Sequence, residues 1–274
     1  MACSVRGTAL AWHAQRRLAV VVEVWSHQGS VPREAGTRML VAADEVVGTI
    51  GGGHLELRAI ASARELLQKH GGLHDEPILQ RIALGPSLGQ CCGGVLELAF
   101  TPLNRCDLAR WPAPASRFSL QLYGAGHVGR AIVQLLAGID CNVQWIDERE
   151  AEFPADPLPD HIRCLCVEPV QAEVAAAPPG ACYLVLTHSH DIDLAITRAI
   201  LERADFAYFG LIGSATKRAR FEHRLLQRGV QPNVLARMQC PIGIPGIEGK
   251  EPAVIALAVV AQLLQLPQLP QPSR

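Results

Sequence analysis

The stretch Phe118-Ser-Leu-Gln-Leu-Tyr-Gly-Ala-Gly-His-Val-Gly129 decides the fold of the second half of the chain. An apolar strand over 118–123 feeds a Gly-x-Gly-x-x-Gly turn, a helix is expected over 130–138, and Asn142-Val-Gln-Trp-Ile146 reads as a second strand ending at Asp147. In such a turn Gly124 permits the tight bend, Gly126 lets backbone approach a phosphate, and Gly129 lets helix and strand pack closely. His127 stands where the helix N-terminus offers unpaired N–H groups and a positive dipole end to an anion. Asp147 falls roughly 20 residues beyond the first glycine, where a carboxylate accepts a ribose 2′-hydroxyl. Strand, turn, helix and acid together specify a Rossmann unit. Whether the turn takes a phosphate-bearing ligand, NAD(P) or another nucleotide, or serves packing alone stays open at this point. Glu148 and Arg149 give the ribose end mixed charge and do not choose between NAD and NADP.

Further short apolar runs at 163–167, 181–186 and 204–211 alternate with helical segments, which implies a parallel sheet wound on both faces. Ligands of such sheets gather at the carboxyl ends of the strands. Two loops expected there carry polar groups. Thr187-His-Ser-His-Asp191 opens a helix over 192–203, with His190 or Asp193 as a ligand contact; capping by Ser189 or Asp191 competes with metal ligation by His188 and His190. Gly210-Leu-Ile-Gly-Ser-Ala-Thr-Lys-Arg218 opens a basic helix, with Gly213 and Ser214 at its start and Lys217 or Arg218 facing either a phosphate or solvent. A stiff loop over 240–252 precedes an apolar helix over 253–264.

The 274 residues suffice for two domains: an N-terminal α+β domain over 1–104, a proline-bearing linker over 105–117, and the Rossmann-like domain over 118–274. Apolar residues at 49% and charged residues at 19% describe an ordinary folded protein rather than a disordered one. A net charge of −1 and 5% aromatic content argue against a nucleic-acid partner. The apolar run 253–264 is too short to span a bilayer, so no membrane association is expected. Nine cysteines without regular spacing or a secretion signal point to reduced thiols in a cytoplasm.

In the first domain a helix is expected over 8–17, strands over 18–24, 39–42, 46–50 and 95–100, and a helix over 55–70. Gly51-Gly-Gly-His-Leu-Glu56 links strand to helix as a second backbone cradle for an anion. Arg33 and Arg38 stand ready to clamp that anion from both sides, unless the turn is merely tight and the arginines solvated. Glu56 could equally do no more than complement the helix dipole. The loop Gly85-Pro-Ser-Leu-Gly-Gln-Cys-Cys-Gly-Gly94 is the most unusual stretch. A lone cysteine is usually a small core residue. Here glycine pairs argue against burying both side chains, which favours thiols that bind or transfer something soft.

Assembled, these stretches resemble the XdhC/CoxI family of xanthine dehydrogenase accessory proteins. The resemblance rests on Gly29-Ser-Val-Pro-Arg-Glu-Ala-Gly36, Gly48-Thr-Ile-Gly-Gly-Gly-His-Leu-Glu56, Gly89-Gln-Cys-Cys-Gly-Gly94, the 123–129 turn and Cys240-Pro-Ile-Gly243, in that order along nearly the whole chain. It implies a molybdenum cofactor (molybdopterin) chaperone rather than an enzyme. Such a chaperone protects the cofactor while a cysteine desulfurase sulfurates it, delivers it to apo-xanthine dehydrogenase in purine catabolism, and can form a homodimer. The cofactor-binding candidates are then Cys91, Cys92, Gln90, Arg33, Gly51, Gly52, Gly53 and Glu56, with Cys91 or Cys92 contacting molybdenum. The competing expectation is an NAD(P)-dependent oxidoreductase built on the glycine turn, which has no use for the paired thiols.

Overall fold

The computed structural model describes residues 5–70, 76–84, 94–111 and 116–267. It divides into two compact units, Cys3–Ala113 and Pro114–Arg274.

The first unit is built on β1 (Ala19–Gln28), β2 (Arg38–Ala42), β3 (Val46–Gly48), β4 (Ile78–Ala83) and β5 (Val95–Pro102), with helices α1 (Val5–Ala14) and α2 (Gly53–His70). The strands pair antiparallel in the order β3-β2-β1-β5-β4. Alternate residues of a strand face opposite sides, and here both sides are covered, which is why β1 reads as an unbroken apolar run. Val20, Val22 and Val24 pack with Leu55, Ala59 and Ala63 of α2. Ala19 and Val21 pack with Ala9 and Trp12 of α1. Glu23 interrupts the run because Arg38, directly opposite on β2, receives it in two 2.9 Å hydrogen bonds. Leu103, Leu108 and Trp111 join the α1 face, so the last two, although in the proline-bearing stretch, serve the first unit's core. β4 was not expected from sequence. It is an edge strand on β5 whose residues are mostly exposed or half-buried, so its apolar content is too sparse to announce it.

The second unit contains β6 (Ser119–Tyr123), β7 (Asn142–Asp147), β8 (Ile162–Cys166), β9 (Cys182–Val185), β10 (Tyr208–Leu211) and β11 (Met238–Gln239). Its main helices are α3 (His127–Leu136), α4 (His190–Arg203), α5 (Ala215–Gln227), the short α6 (Pro232–Leu235) and α7 (Pro252–Leu264). The sheet is parallel throughout, in the order β11-β10-β9-β6-β7-β8. Counted from β6, this is the doubly wound order in which a dinucleotide fold reverses direction between its first and fourth strands. Leu120, Leu122 and Val143 face α3 and α7, while Tyr123, Tyr183 and Val185 face α4 and α5. The Rossmann-like expectation is therefore met, with the topological switch at the carboxyl ends of β6 and β9. α3 starts at His127, three residues before the sequence suggests, because Gly126 already serves as its N-cap. Among the described residues no helix is long and apolar enough to cross a membrane.

Candidate functional site

Three glycine-bearing segments meet at one end of the first unit's sheet. A Cβ on Gly51 would lie 2.4 Å from Cβ of Pro32, so the strand–helix turn rests directly on the 29–36 loop. A Cβ on Gly94 would lie 2.5 Å from the Ser30 carbonyl oxygen and 2.8 Å from that of Gln28. Gly94 is buried, and its carbonyl accepts from Leu84 N at 2.8 Å. The residue that ends the Gly89-Gln-Cys-Cys-Gly-Gly94 run is thus fixed against the same loop that carries Arg33. Gln90, Cys91 and Cys92 lie outside the described residues. Arg33 is exposed and has no hydrogen-bond or ion-pair partner among the described residues, which leaves a cation available at this edge.

The turn at 51–53 does not present an empty cradle. Glu56 Oε2 accepts from Ile50 N at 3.1 Å, Gly52 N at 3.1 Å and Thr49 Oγ1 at 2.5 Å, and Gly51 N donates to Thr49 Oγ1 at 3.0 Å. The anion that satisfies these donors belongs to the chain itself. Glu56 is therefore a turn-holding residue, and the expectation that the backbone N–H groups of 51–52 await an external anion is corrected. Charge-assisted hydrogen bonds of this kind contribute about 1.5–3 kcal/mol each. The expected clamp of two arginines is also corrected: Arg38 is committed to Glu23, with its guanidinium 4.7 Å above the Trp111 ring. Of the two arginines, Arg33 is the one without a partner among the described residues.

In the second unit the glycine turn has the expected shape. Gly124 has φ +115°, and a Cβ there would lie 2.3 Å from the Leu186 carbonyl oxygen. A Cβ on Gly129 would lie 2.1 Å from the Gly124 carbonyl oxygen, so α3 is pressed against the turn. A Cβ on Gly126 meets nothing within 4 Å; its side is open. His127 is exposed at the first position of α3.

Asp147 is where the sequence puts it, but it is occupied. Its Oδ2 accepts from Ala125 N at 2.7 Å, and Arg149 binds both carboxylate oxygens, Nε to Oδ1 and Nη2 to Oδ2, each at 2.9 Å. Arg149 N adds a further 2.9 Å bond to Oδ1. Burial works against the charge, yet Arg149 and the two backbone donors together hold this carboxyl below the usual carboxylate range. Sequence spacing showed the acid; nothing in the spacing showed that the residue two positions on would fill it. A second obstruction crosses the switch point. His188, after β9, reaches Glu148, after β7, at 3.6 Å, and β6 lies between those strands.

His190, Gly213 and Ser214 converge elsewhere, in a cavity of about 780 Å³ at the carboxyl ends of β9 and β10. Ser189 and Ser214 cap α4 and α5 by accepting from Ile192 N and Lys217 N. Asp193 is fully buried and accepts from Thr187 N at 3.0 Å, Thr187 Oγ1 at 2.7 Å and Lys217 Nζ at 2.5 Å. Asp193 lies buried behind the cavity and holds Lys217, which lines it, so neither is a free ligand group; Arg218 is turned to Glu222 and the Cys240 carbonyl. Among the described residues no group of three or more His, Cys, Asp or Glu side chains could hold a metal ion. Of the described thiols, burial pushes Cys106 up to about 11 and Cys141 and Cys182 up to about 12, which makes them core residues rather than nucleophiles.

Comparison with known proteins fits both units. The profile of the XdhC Rossmann domain matches residues 120–263, more than half of the chain, and that of the XdhC and CoxI family matches residues 12–75. The chain belongs to the XdhC and CoxI family. A curated relative, the Escherichia coli K12 protein described as uncharacterized protein YqeB, is 28% identical over 224 residues; these make up 81% of this chain and 39% of that protein. The chain thus spans well under half the length of this relative. Among solved structures, one described as a xanthine dehydrogenase from Bacillus halodurans superposes with a TM-score of 0.72 at 19% identity, covering 96% of this chain and 95% of the other. At that identity the likeness shows the fold alone.

Proposed function

We propose that this chain is an accessory protein of xanthine dehydrogenase maturation that binds the molybdenum cofactor, shields it while a cysteine desulfurase supplies sulfur, and passes it to apo-xanthine dehydrogenase. XdhC and CoxI family membership supports the maturation role. The observation that carries the binding role is the meeting of three segments in the first unit: the Arg33 loop, the Glu56-locked glycine turn, and Gly94 at the end of the paired-thiol run. An unpaired guanidinium suits the pterin's phosphate, because its planar fork matches phosphate geometry. Thiolates suit a soft metal or its dithiolene. The role is one of holding and handing over, without turnover by this chain. In this reading Cys91 and Cys92 meet molybdenum, Gln90 and Gly53 contribute to holding the cofactor, and a homodimer is compatible with the delivery role.

The oxidoreductase alternative asks Asp147 to accept a ribose hydroxyl, and both oxygens of that carboxylate are already bound by Arg149. It is the weaker reading on that ground.

The test is cofactor load. The protein purified from cells that make the cofactor is expected to release a fluorescent pterin oxidation product after acid treatment. Arg33→Gln and the Cys91→Ala/Cys92→Ala double variant are each expected to lower that load at least fivefold with unchanged circular dichroism. Equal load in all three proteins, or none in wild type, removes the proposal.

A further inference from the structure

We propose that the cavity at the ends of β9 and β10 is a phosphoryl-binding site, separate from the glycine turn, that takes an organic phosphate monoester or diphosphate. The assignment does not depend on the cofactor role of the first unit.

Charge comes first. The cavity wall carries His188, His190, Lys217, Arg220, His223 and Arg224 and no carboxylate. Lys217 is spent on Asp193, and Arg224 has only a distant contact, 4.0 Å, with the highly exposed Asp191. Arg220 and His190 have no hydrogen-bond or ion-pair partner among the described residues. Arg220 and Arg224 are one helical turn apart on α5 and so project from the same face. The cavity therefore holds one arginine unpaired among the described residues, Arg220, and one only weakly paired, Arg224, beside polar histidines, in a concave site whose size suits a small metabolite. Such a site raises the local concentration of anions and is best satisfied by a dianion.

Geometry adds a second, independent reason. Both α4 and α5 begin at this wall, each with a serine N-cap, so two positive dipole ends reinforce the side chains. Gly213 is needed to build the wall: a Cβ there would lie 2.5 Å from Cδ of Lys217, whose ammonium also donates to the Ile212 carbonyl at 2.8 Å. The buried Lys217–Asp193 pair thereby fixes the starts of both helices relative to each other before any ligand arrives. Meanwhile the usual dinucleotide path is obstructed at Asp147 by Arg149 and across β6 by the His188–Glu148 approach.

The experiment titrates the full chain with inorganic pyrophosphate by isothermal calorimetry, in wild type, in Arg220→Gln/Arg224→Gln, and in Gly126→Ala. The Gly126 substitution meets no atom within 4 Å, so it tests the glycine turn without disturbing the fold. Saturable binding in wild type, weakened at least tenfold in the double arginine variant and unchanged in Gly126→Ala, supports the site. Loss in Gly126→Ala, retention in the arginine variant, or no binding in wild type at millimolar pyrophosphate overturns it. Competition then separates two sources of the phosphate. Displacement of pyrophosphate by 5′-AMP alone assigns a nucleotide, displacement by neopterin phosphate alone assigns a pterin, and displacement by neither overturns the organic-phosphate assignment.

Discussion

Lys217→Met is expected to destabilise the second unit by about 3–5 kcal/mol, the range for removing one partner of a buried ion pair. Asp193 is fully buried, and Lys217 Nζ lies 2.5 Å from its Oδ2. Methionine fills much of the lysine stem's volume, so the loss reflects an uncompensated carboxylate rather than a cavity. Thr187 still donates to Oδ1, which is why the expectation does not exceed this range. Domains are stable by only about 5–15 kcal/mol, so the effect would be plain in a urea titration. Asp193→Asn combined with Lys217→Met is expected to recover a large part of the loss, because the buried charge is then gone. A loss below 1 kcal/mol in the single variant, or no recovery in the double, would show that the pair is solvated and that the cavity wall is not built as described.

The second large effect is at Gly129. Alanine in a helix interior ordinarily stabilises relative to glycine by about 1 kcal/mol. Here the new Cβ would sit 2.1 Å from the Gly124 carbonyl oxygen, which is backbone and cannot swing aside. Overpacking costs about 1–3 kcal/mol or more, and a contact this short belongs at the upper end, so the clash outweighs the helix gain. Gly129→Ala is expected to destabilise by about 2–3 kcal/mol net, while Gly126→Ala, with open space beside it, is expected to cost under about 1 kcal/mol through its N-cap position. Equal midpoints for the two variants would mean that α3 does not press on the turn.

The two glycines also show what was legible in the sequence. Strand, turn, helix and acid around Gly124, Gly126, Gly129 and Asp147 announced a parallel doubly wound sheet, because period and turn chemistry are local properties. The continuous apolar run of β1 announced a strand buried on both faces. What stayed hidden depends on pairs distant in sequence or on rotamers. Nothing local says that Glu56 will turn back to the N–H groups of Ile50 and Gly52, or that Arg38 will face Glu23 across two strands. Arg149, two residues from Asp147, could as well have pointed to solvent as onto both carboxylate oxygens. β4 escaped notice because an edge strand need not be strongly apolar. Arg220 and Arg224 were a missed signal of a different kind: their spacing was visible, but their common wall with His190 exists only once α4 and α5 are placed on adjacent strands.

The central claim is that this chain carries the molybdenum cofactor and gives it up to apo-xanthine dehydrogenase. Its most direct measurement loads the purified chain with cofactor labelled with radioactive molybdenum, mixes it with cofactor-free dehydrogenase, and follows label and hydroxylase activity after size separation. The account predicts that label moves to the dehydrogenase together with activity, and that unloaded chain gives neither. Label that stays with the chain, or activity that rises equally without it, would contradict the account.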